Sequence, residues 1–333
     1  MRSFFDPRQF AHAPASELHN GAFAPHAETP GRAHSILAAI GDTVAPSDHG
    51  ETPLLAIHGP EYLAFLKSAY GDWREAGRPG EAGAYAFPVV RRRPLNLDRI
   101  DARLGRFSYD AATPIGPDSW DAAYWGAQTA LSALGDVLAG NHAFALCRPP
   151  GHHSGADYCG GYCYLNNAAI AARAASGAGR RTAILDIDYH HGNGTQDIFY
   201  DRGDIFFASI HADPRTDYPF FWGHEEEWGE GKGEGVTLNL PLPRGTALAA
   251  YERALGTALD VIAAFAPDLL VVSFGADTYA GDPISSFALE TEDYPILARR
   301  IAALGKPTLI VMEGGYAVDA LGANVAAFLS GFR

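Results

Sequence analysis

Short apolar runs alternate with longer amphipathic segments from about residue 118 to the C-terminus. Short runs bounded by polar sequence are typical of buried strands, whereas apolar positions that recur every three or four residues indicate helices. Strands are predicted at 143–147, 182–185, 205–210, 269–274 and 308–311. Helices are predicted at 120–138, 168–175, 247–265, 294–304 and 318–329. Such alternation predicts an α/β fold with a mainly parallel sheet covered by helices on both faces.

Two segments depart from this pattern. Residues 80–117 contain several prolines and few apolar positions, so we expect an extended loop insertion there. Residues 224–235 are acidic and glycine-rich and predict a second loop. Neither a long Ser/Gly linker nor an internal repeat interrupts the chain, and its length fits one large α/β domain or two small domains.

Composition narrows the class of protein. The 333 residues are 47% hydrophobic, enough for a large core, and the net charge of −14 disfavours a nucleic-acid partner. The Arg91–Arg93 triplet is too short to change that expectation. Three cysteines do not make a disulfide framework and favour a reducing compartment. Because neither a signal peptide nor a membrane-length apolar run is recognisable, we expect a cytoplasmic protein that does not bind a membrane.

Polar residues follow four of the predicted strands. His152 and His153 come after the first strand, residues 188–190 after the second, Asp277 after the fourth and residues 314–316 after the fifth. In open parallel sheets, ligands bind outside the carboxyl ends of the strands. We therefore expect these side chains to meet at one edge of the sheet.

The segment after the second strand has the character of a metal site. Residues two apart in extended backbone point the same way, so Asp186, Asp188 and His190 can share one face. Two of these residues with Asp277 would supply three ligands and leave a position open, as in catalytic zinc sites. Two carboxylates and one imidazole also suit Fe(II), Mn(II) or Co(II), so the metal stays open at this point.

Five motifs, in this order and spacing, resemble the histone deacetylase/acetylpolyamine amidohydrolase superfamily. They are Arg148–His153, Gly161–Asn167, Asp186–Gln196, Phe274–Asp277 and Glu313–Tyr316. The stretch 5–40 and the insertion resemble the bacterial acetylpolyamine amidohydrolases in particular. The resemblance implies an arginase/deacetylase-like single domain over residues 1–333, whose central parallel sheet has eight strands.

The resemblance also implies the metal ions. One Zn²⁺ per subunit would be held by Asp188, His190 and Asp277, which makes Asp186 a supporting residue and not a zinc ligand. Structural K⁺ or Na⁺ ions are implied as well. One monovalent site would use Asp186, Asp188, His190 and Ser209, and a second would use carbonyls near Phe199, Arg202 and Ile205.

The catalytic roles follow from the same resemblance. His152 would pair with Asp186 and His153 with Asn193, and each partner would fix the tautomer of its imidazole. A carboxylate partner favours imidazolium and an amide partner does not, so we expect His153 to act as general base and then acid. His152 would stay cationic, and the Tyr316 hydroxyl would stabilise the oxyanion.

The substrate that we expect follows from the residues at the mouth of the site. Tyr162 and Tyr218 match the aromatic walls of a narrow acyl-amine channel. In the acetylpolyamine enzymes the insertion builds a homodimer interface that narrows this channel, and Asp101 matches one of its acidic positions. The second acidic position falls on Ala112, with Asp110 nearby, so the preference for long polyamines stays open.

We therefore expect hydrolysis of the acetyl amide of small cationic amines such as acetylputrescine, acetylcadaverine or acetylspermidine. A protein acetyl-lysine deacetylase is the alternative within the superfamily, since its chemistry is the same. Arginase-like binuclear hydrolysis and a non-catalytic acyl-ligand binding protein are two further readings. The histidine pair disfavours both of them.

Overall fold

The computed structural model describes residues 1–19, 21–88 and 97–332, so the Arg91–Arg93 triplet lies outside the described residues. The strands are β1 (Arg2–Phe4), β2 (Ser16–His19), β3 (Ala22–Pro25), β4 (Ala143–Ala145), β5 (Thr182–Asp186), β6 (Ile205–Ala212), β7 (Thr237–Leu242), β8 (Leu269–Phe274) and β9 (Thr308–Met312). Within the described residues, the main sheet has the order β1-β4-β9-β8-β5-β6-β7, and every neighbouring pair is parallel. β2 and β3 form a separate antiparallel hairpin.

Helices cover both faces of this sheet. They are α1 (Pro30–Ile40), α2 (Thr52–Leu55), α3 (Pro60–Glu75), α4 (Ile100–Arg106), α5 (Ser119–Leu138), α6 (Asn167–Gly177), α7 (Asn193–Phe199), α8 (Leu248–Phe265), α9 (Tyr294–Ala302) and α10 (Val318–Ser330). The buried side chains of α3, α5 and α6 pack on one face, and those of α1, α8, α9 and α10 pack on the other. The predicted α/β layers are therefore confirmed.

Alternate residues of each central strand point to opposite faces, as a pleated strand requires. On β5, Ile184 joins the cluster formed with α5 and α6, whereas Ala183 and Leu185 join the cluster formed with α8 and α9. Because both faces are buried, the strands read as continuous apolar runs. All five predicted strands and all five predicted helices are present, with ends that differ from the prediction by two residues or fewer.

The expected eight-stranded sheet is wrong: in the described part of the chain the sheet has seven strands. At the outer edge of β1, Val44 makes a single parallel bridge with Phe4. Backbone bonds join Phe5 N–H to Val44 O and Val44 N–H to Ser3 O, at 3.1 and 2.8 Å. Pro46 follows two residues later and lacks an N–H group, so the pairing ends before it becomes a strand.

The insertion is more ordered than a loop over its described residues, which exclude 89–96. Ala82 and Ile115 pair through two backbone hydrogen bonds of 2.9 and 2.8 Å and close the segment. Helix α4 lies inside it, which corrects the expectation of extended structure throughout. Ile100 and Leu104 are one helical turn apart and both are buried, and this short apolar face holds α4 on the core.

Among the described residues, no helix combines the length and the apolar character that crossing a bilayer requires.

Candidate metal and catalytic site

Four neighbouring strands deliver polar residues to one edge of the sheet. β4, β9, β8 and β5 lie side by side and run in the same direction, so their carboxyl ends meet. The residues that follow them are 152–153, 314–316, 277 and 188–190, respectively. The structure thus brings together the side chains that the sequence assigns to this edge.

Asp188, His190 and Asp277 form one cluster, and their potential ligand atoms all lie within 4.8 Å of one another. Nδ1 of His190 is 3.0 Å from Oδ2 of Asp277 and 3.4 Å from Oδ1 of Asp188. Ligand atoms around a tetrahedral metal with bonds of about 2.0–2.1 Å are about 3.3 Å apart. The three residues therefore fit a divalent metal ion and leave a fourth position open.

The charges of this cluster also fit a cation. Burial, and then the nearby Asp188 carboxylate, raise the pKa of Asp277 above its ordinary value. Two buried carboxylates this close repel one another when both are ionised. A divalent ion between them would let both stay ionised, so the site suits a metal better than it suits two acids alone.

His152 is buried beside two carboxylates. Its Nδ1 lies 3.0 Å from Oδ2 of Asp186, and its Nε2 lies 3.8 Å from Oδ1 of Asp188. Burial disfavours the imidazolium, but the two carboxylates outweigh it and raise the pKa of His152 to about 10. The two carboxylates therefore favour the imidazolium form of His152, and Asp186 is the hydrogen-bond partner that the resemblance implied.

His153 has a neutral partner instead. Its Nδ1 lies 2.6 Å from Oδ1 of Asn193, and its ring centroid is 4.1 Å from that of His152. Burial, and then the positive charge of His152, lower the pKa of His153 well below its ordinary value. The pKa values of the two adjacent histidines are thus shifted in opposite directions, because their partners and surroundings differ.

Tyr316 completes the cluster at the end of β9. Its backbone N–H donates to Oδ2 of Asp282 at 2.6 Å, and the Arg32 guanidinium lies 4.9 Å from its ring centroid. Nε of Arg32 also donates to the Gly315 carbonyl at 2.6 Å. Burial raises the pKa of Tyr316 far above its usual range, so its hydroxyl stays protonated and can donate.

Comparison with known proteins agrees with this geometry. The family model described as histone deacetylase domain matches residues 26–332, which is most of the chain. The chain belongs to the histone deacetylase family. The fold of this family suggests a metal-dependent deacetylase, and Asp188, His190 and Asp277 form a candidate metal site in this chain.

Individual relatives cover the whole chain. The chain is 48% identical to acetylpolyamine amidohydrolase 1 of Pseudomonas aeruginosa over 100% of its length and 99% of the relative's. It is 47% identical to the acetylpolyamine amidohydrolase of Mycoplana ramosa, over 99% of each chain. The crystal structure of an acetylpolyamine aminohydrolase from Burkholderia pseudomallei superposes with a TM-score of 0.95 at 42% identity, covering 100% of this chain and 98% of that one.

In this chain, a pocket of about 290 Å³ leads to the cluster of Asp188, His190 and Asp277. His153, His190 and Tyr316 lie at its base, and Tyr162, Tyr218 and Phe220 form part of its wall. The Tyr162 hydroxyl donates to Oε1 of Glu17 at 2.9 Å, which fixes one wall. Tyr162 and Tyr218, the two aromatic residues expected at the channel, both line this pocket.

The acidic residues expected at the mouth lie in two places. Asp110 and Ala112 line the pocket, and the Tyr218 hydroxyl donates to Oδ2 of Asp110 at 2.8 Å. Asp101 sits on α4, where it forms ion pairs with Arg78 and Arg99 at 2.8 and 2.7 Å. Asp101 is not among the described residues that line the pocket of its own subunit.

The residues expected to bind monovalent cations lie in two places. Asp186 is level with Ser209 of β6, next to Asp188 and His190 in sequence, and the Ser209 hydroxyl lies 2.9 Å from Nδ1 of His211. Phe199 ends α7, Arg202 donates its N–H to the Phe199 carbonyl at 3.0 Å, and Ile205 begins β6.

Several supporting residues escape prediction from the sequence. Oε2 of Glu313 accepts the backbone N–H groups of Gly151 and His152 at 2.6 and 3.1 Å and so holds the histidine pair. Its position in the Glu-Gly-Gly-Tyr motif is a signal that sequence reading could have used. Arg32 and Asp282 carry no comparable signal, because each lies far along the chain from Tyr316.

Proposed function

We propose that this protein is a zinc-dependent amidohydrolase that removes the acetyl group from acetylated diamines and polyamines. Acetylputrescine, acetylcadaverine and acetylspermidine are the proposed substrates, and acetate and the free amine are the products. The observation that carries the proposal is the Asp188, His190 and Asp277 cluster, with His153 beside it at the base of an aromatic pocket. Full-length similarity to acetylpolyamine amidohydrolases supports it.

Zn²⁺ held by Asp188, His190 and Asp277 would polarise the acetyl carbonyl and acidify a water molecule. The residues of the chain supply the proton transfers. His153 accepts the proton of the attacking water at Nε2, since its Nδ1 is engaged by Asn193. The same nitrogen then donates that proton to the departing amine.

His152 and Tyr316 stabilise charge. The imidazolium of His152, held by Asp186, lies next to the reacting group and favours negative charge that develops there. The protonated hydroxyl of Tyr316 donates a hydrogen bond to the developing oxyanion. The rings of Tyr162 and Tyr316 lie 5.6 Å apart, so this donor adjoins the pocket wall.

The pocket favours a thin cationic chain. Tyr162 and Tyr218 present aromatic surface to methylene groups, and aromatic faces also attract ammonium ions. The hydrogen-bond partners of Asp110 are neutral, namely Gly161 N–H, Ala112 N–H and the Tyr218 hydroxyl. Asp217, by contrast, pairs with Arg244 at 2.9 Å. Asp110 is therefore the carboxylate that is best placed for a substrate ammonium.

The insertion would act in a homodimer. Tyr85 and Phe87 are exposed aromatic residues on this segment, with 68% and 42% of their surface accessible, and a second copy would bury them. Asp101 would then face the pocket of the other subunit. Structural K⁺ or Na⁺ ions at the two sites near Asp186 and Phe199 also belong to this proposal. The three cysteines, buried and free in the described structure, support a cytoplasmic location.

A substrate panel with the zinc-loaded protein tests the proposed function. Acetylputrescine, acetylcadaverine, acetylspermidine and an acetyl-lysine peptide are compared by kcat/KM, with acetate release as the readout. We expect the small amines to exceed the peptide. A higher kcat/KM for the peptide would make the protein a protein-lysine deacetylase, and no turnover of any acetylated amine would contradict hydrolysis itself.

A further inference from the structure

Asn193 stands between His153 and a tyrosine to which the proposed chemistry assigns no role. Its Oδ1 lies 2.6 Å from Nδ1 of His153, and its Nδ2 donates to the Tyr158 hydroxyl at 3.4 Å. Asn193 is fully buried. Which way this amide points decides what His153 can do, because an amide oxygen accepts whereas an amide nitrogen donates.

The contact with His153 does not by itself determine the orientation of the Asn193 amide. A neutral imidazole with its proton on Nδ1 would pair with the amide oxygen, and one with its proton on Nε2 would pair with the amide nitrogen. Only the first tautomer leaves Nε2 free to accept a proton from water. The orientation of Asn193 must therefore be fixed from its other side.

Asp197 fixes it through Tyr158. The Tyr158 hydroxyl donates to Oδ2 of Asp197 at 2.6 Å, and Trp222 Nε1 donates to Oδ1 of the same carboxylate at 3.1 Å. An ionised carboxylate only accepts, so it takes the single proton of Tyr158. The Tyr158 oxygen is then an acceptor towards Asn193, which requires the amide nitrogen on that side and the amide oxygen towards His153.

Tyr109 also lies beside this amide. Its hydroxyl is 3.4 Å from Oδ1 of Asn193 and contacts the Tyr218 hydroxyl as well, so the tyrosine that fixes the amide is Tyr158. The rings of Tyr109 and Tyr158 are packed edge to face with centroids 5.5 Å apart, which holds both hydroxyls near Asn193.

We propose that Tyr158, with its proton committed to Asp197, is a positioning residue that orients the Asn193 amide and thereby holds His153 in the Nδ1-protonated tautomer. This inference rests on the proposed role of His153 as the base. Tyr158 itself is not among the described residues that line the pocket, so it acts on the proton transfer and not on substrate binding.

Tyr158→Phe removes the hydroxyl and keeps the ring. A net hydrogen bond is worth about 0.5–1.5 kcal/mol, so we expect kcat to fall about three- to tenfold with KM changed by less than about twofold. Asp197→Asn should act in the same direction, because its amide can donate to Tyr158 and free the tyrosine proton for Asn193. Tyr124→Phe is the matched control, since it removes another hydroxyl that donates to an aspartate, Asp48, far from the site.

Measuring Tyr158→Phe in an Asn193→Asp background distinguishes a positioning role of the Tyr158 hydroxyl from a packing role. A carboxylate presents an acceptor to His153 in either orientation, so adding Tyr158→Phe to Asn193→Asp should change kcat by less than about twofold. An equal loss in both backgrounds would overturn the proposal, because it would mean that the hydroxyl acts only through packing. Thermal unfolding of each variant, compared with Tyr124→Phe, checks that the fold is intact.

The tautomer gives a readout that does not depend on turnover. In protein labelled with ¹⁵N-histidine, the His153 resonances, assigned by their loss in His153→Ala, should show Nδ1 protonated and Nε2 unprotonated. Tyr158→Phe should shift both towards intermediate values. Unchanged resonances and unchanged kcat in Tyr158→Phe would refute the inference. A wild-type protein that hydrolyses no acetylated amine would instead refute the proposed function, and the resonances would still test the positioning.

Discussion

The backbone N–H of Gly314 donates a hydrogen bond of 2.8 Å to Oδ2 of Asp188. This contact is possible because residue 314 is glycine: a Cβ atom there would lie 2.6 Å from the same oxygen and 2.6 Å from Oδ2 of Asp277. Both distances are shorter than real contacts to a Cβ. The carboxylates of Asp188 and Asp277 therefore lie directly against the backbone that follows β9. The distance between them depends on residue 314 having no side chain.

Gly314→Ala should weaken metal binding and activity together. The added methyl group must displace one or both carboxylates, so we expect the zinc affinity to fall by at least about tenfold, since misplaced ligands lose coordination geometry. Competition with a coloured chelator measures this affinity. Gly135→Ala in α5, where a Cβ would meet nothing within 4 Å, is the control. Equal zinc affinity in both variants would contradict the argument.

Zinc should stabilise the fold through the same carboxylates. Without a metal, Asp188 and Asp277 repel one another, and a bound ion adds its binding free energy to the folded state. At a free Zn²⁺ concentration one hundred times Kd, the free energy of unfolding should rise by about 2.7 kcal/mol. Thermal unfolding of chelator-treated protein during zinc addition measures the effect. Asp277→Asn should lose most of it, and an equal rise in that variant would place the metal elsewhere.

Tyr316→Phe tests the proposed oxyanion donor. The phenyl ring keeps the contact with Arg32 and removes only the hydroxyl, so the pocket keeps its shape. Loss of one such donor typically costs about 2.7–4 kcal/mol, and we expect kcat to fall by about 10²–10³. KM should change little, because the bond forms in the transition state. Steady-state kinetics on acetylputrescine decide the point, and a loss confined to KM would assign Tyr316 to substrate binding.

Asp110→Asn tests how the pocket recognises charge. Asparagine with its oxygen in place of Oδ2 keeps the acceptor for the Tyr218 hydroxyl and for Gly161 N–H, and it loses the negative charge together with the acceptor for Ala112 N–H. We expect KM for acetylputrescine to rise by about tenfold, because a charge pair near a protein surface is worth a few kcal/mol before solvent screening. N-butylacetamide, an uncharged substrate of similar length, serves as control. A similar rise for both substrates would indicate altered pocket shape.

The sequence predicts the central strands and helices well, because their local composition indicates that they are buried. β5 and β9 are buried on both faces, and such strands appear as unbroken apolar runs. β7 is half-buried at the edge and contains Asn239 and Pro241, so its run is broken and the strand is missed. Helix α4 is missed for a similar reason, since only Ile100 and Leu104 mark its buried face.

The candidate site divides in the same way. Asp188 and His190 are two residues apart, and short-range spacing is enough to suggest a ligand pair. Arg32 donates to the Gly315 carbonyl although the two residues are 283 positions apart, so local spacing could not predict that contact. Asp110 and Ala112 both line the pocket, and Asp217 joins them from a distant part of the chain, so the folded arrangement and not linear position decides which carboxylates meet there.

His58 should make the fold sensitive to acid. It is buried, its Nδ1 lies 3.0 Å from the Gly155 carbonyl, and its Nε2 accepts Asn166 N–H at 3.0 Å, so both nitrogens are used by a neutral ring. Burial lowers the pKa of His58 to about 4, below the ordinary value of about 6.5 in the unfolded chain. Between these values the unfolded chain binds the extra proton, so stability rises with pH through this window.

The stabilisation by His58 is therefore complete above about pH 6.5 and is lost as the pH falls from 6.5 to about 4. One histidine with this shift contributes about 3 kcal/mol over the window. Urea unfolding at a series of pH values measures the slope, which should be smaller in His58→Gln because an amide does not titrate. His49→Gln is the control, since His49 lies exposed at the surface. An unchanged slope in His58→Gln would mean that other buried groups carry the acid sensitivity.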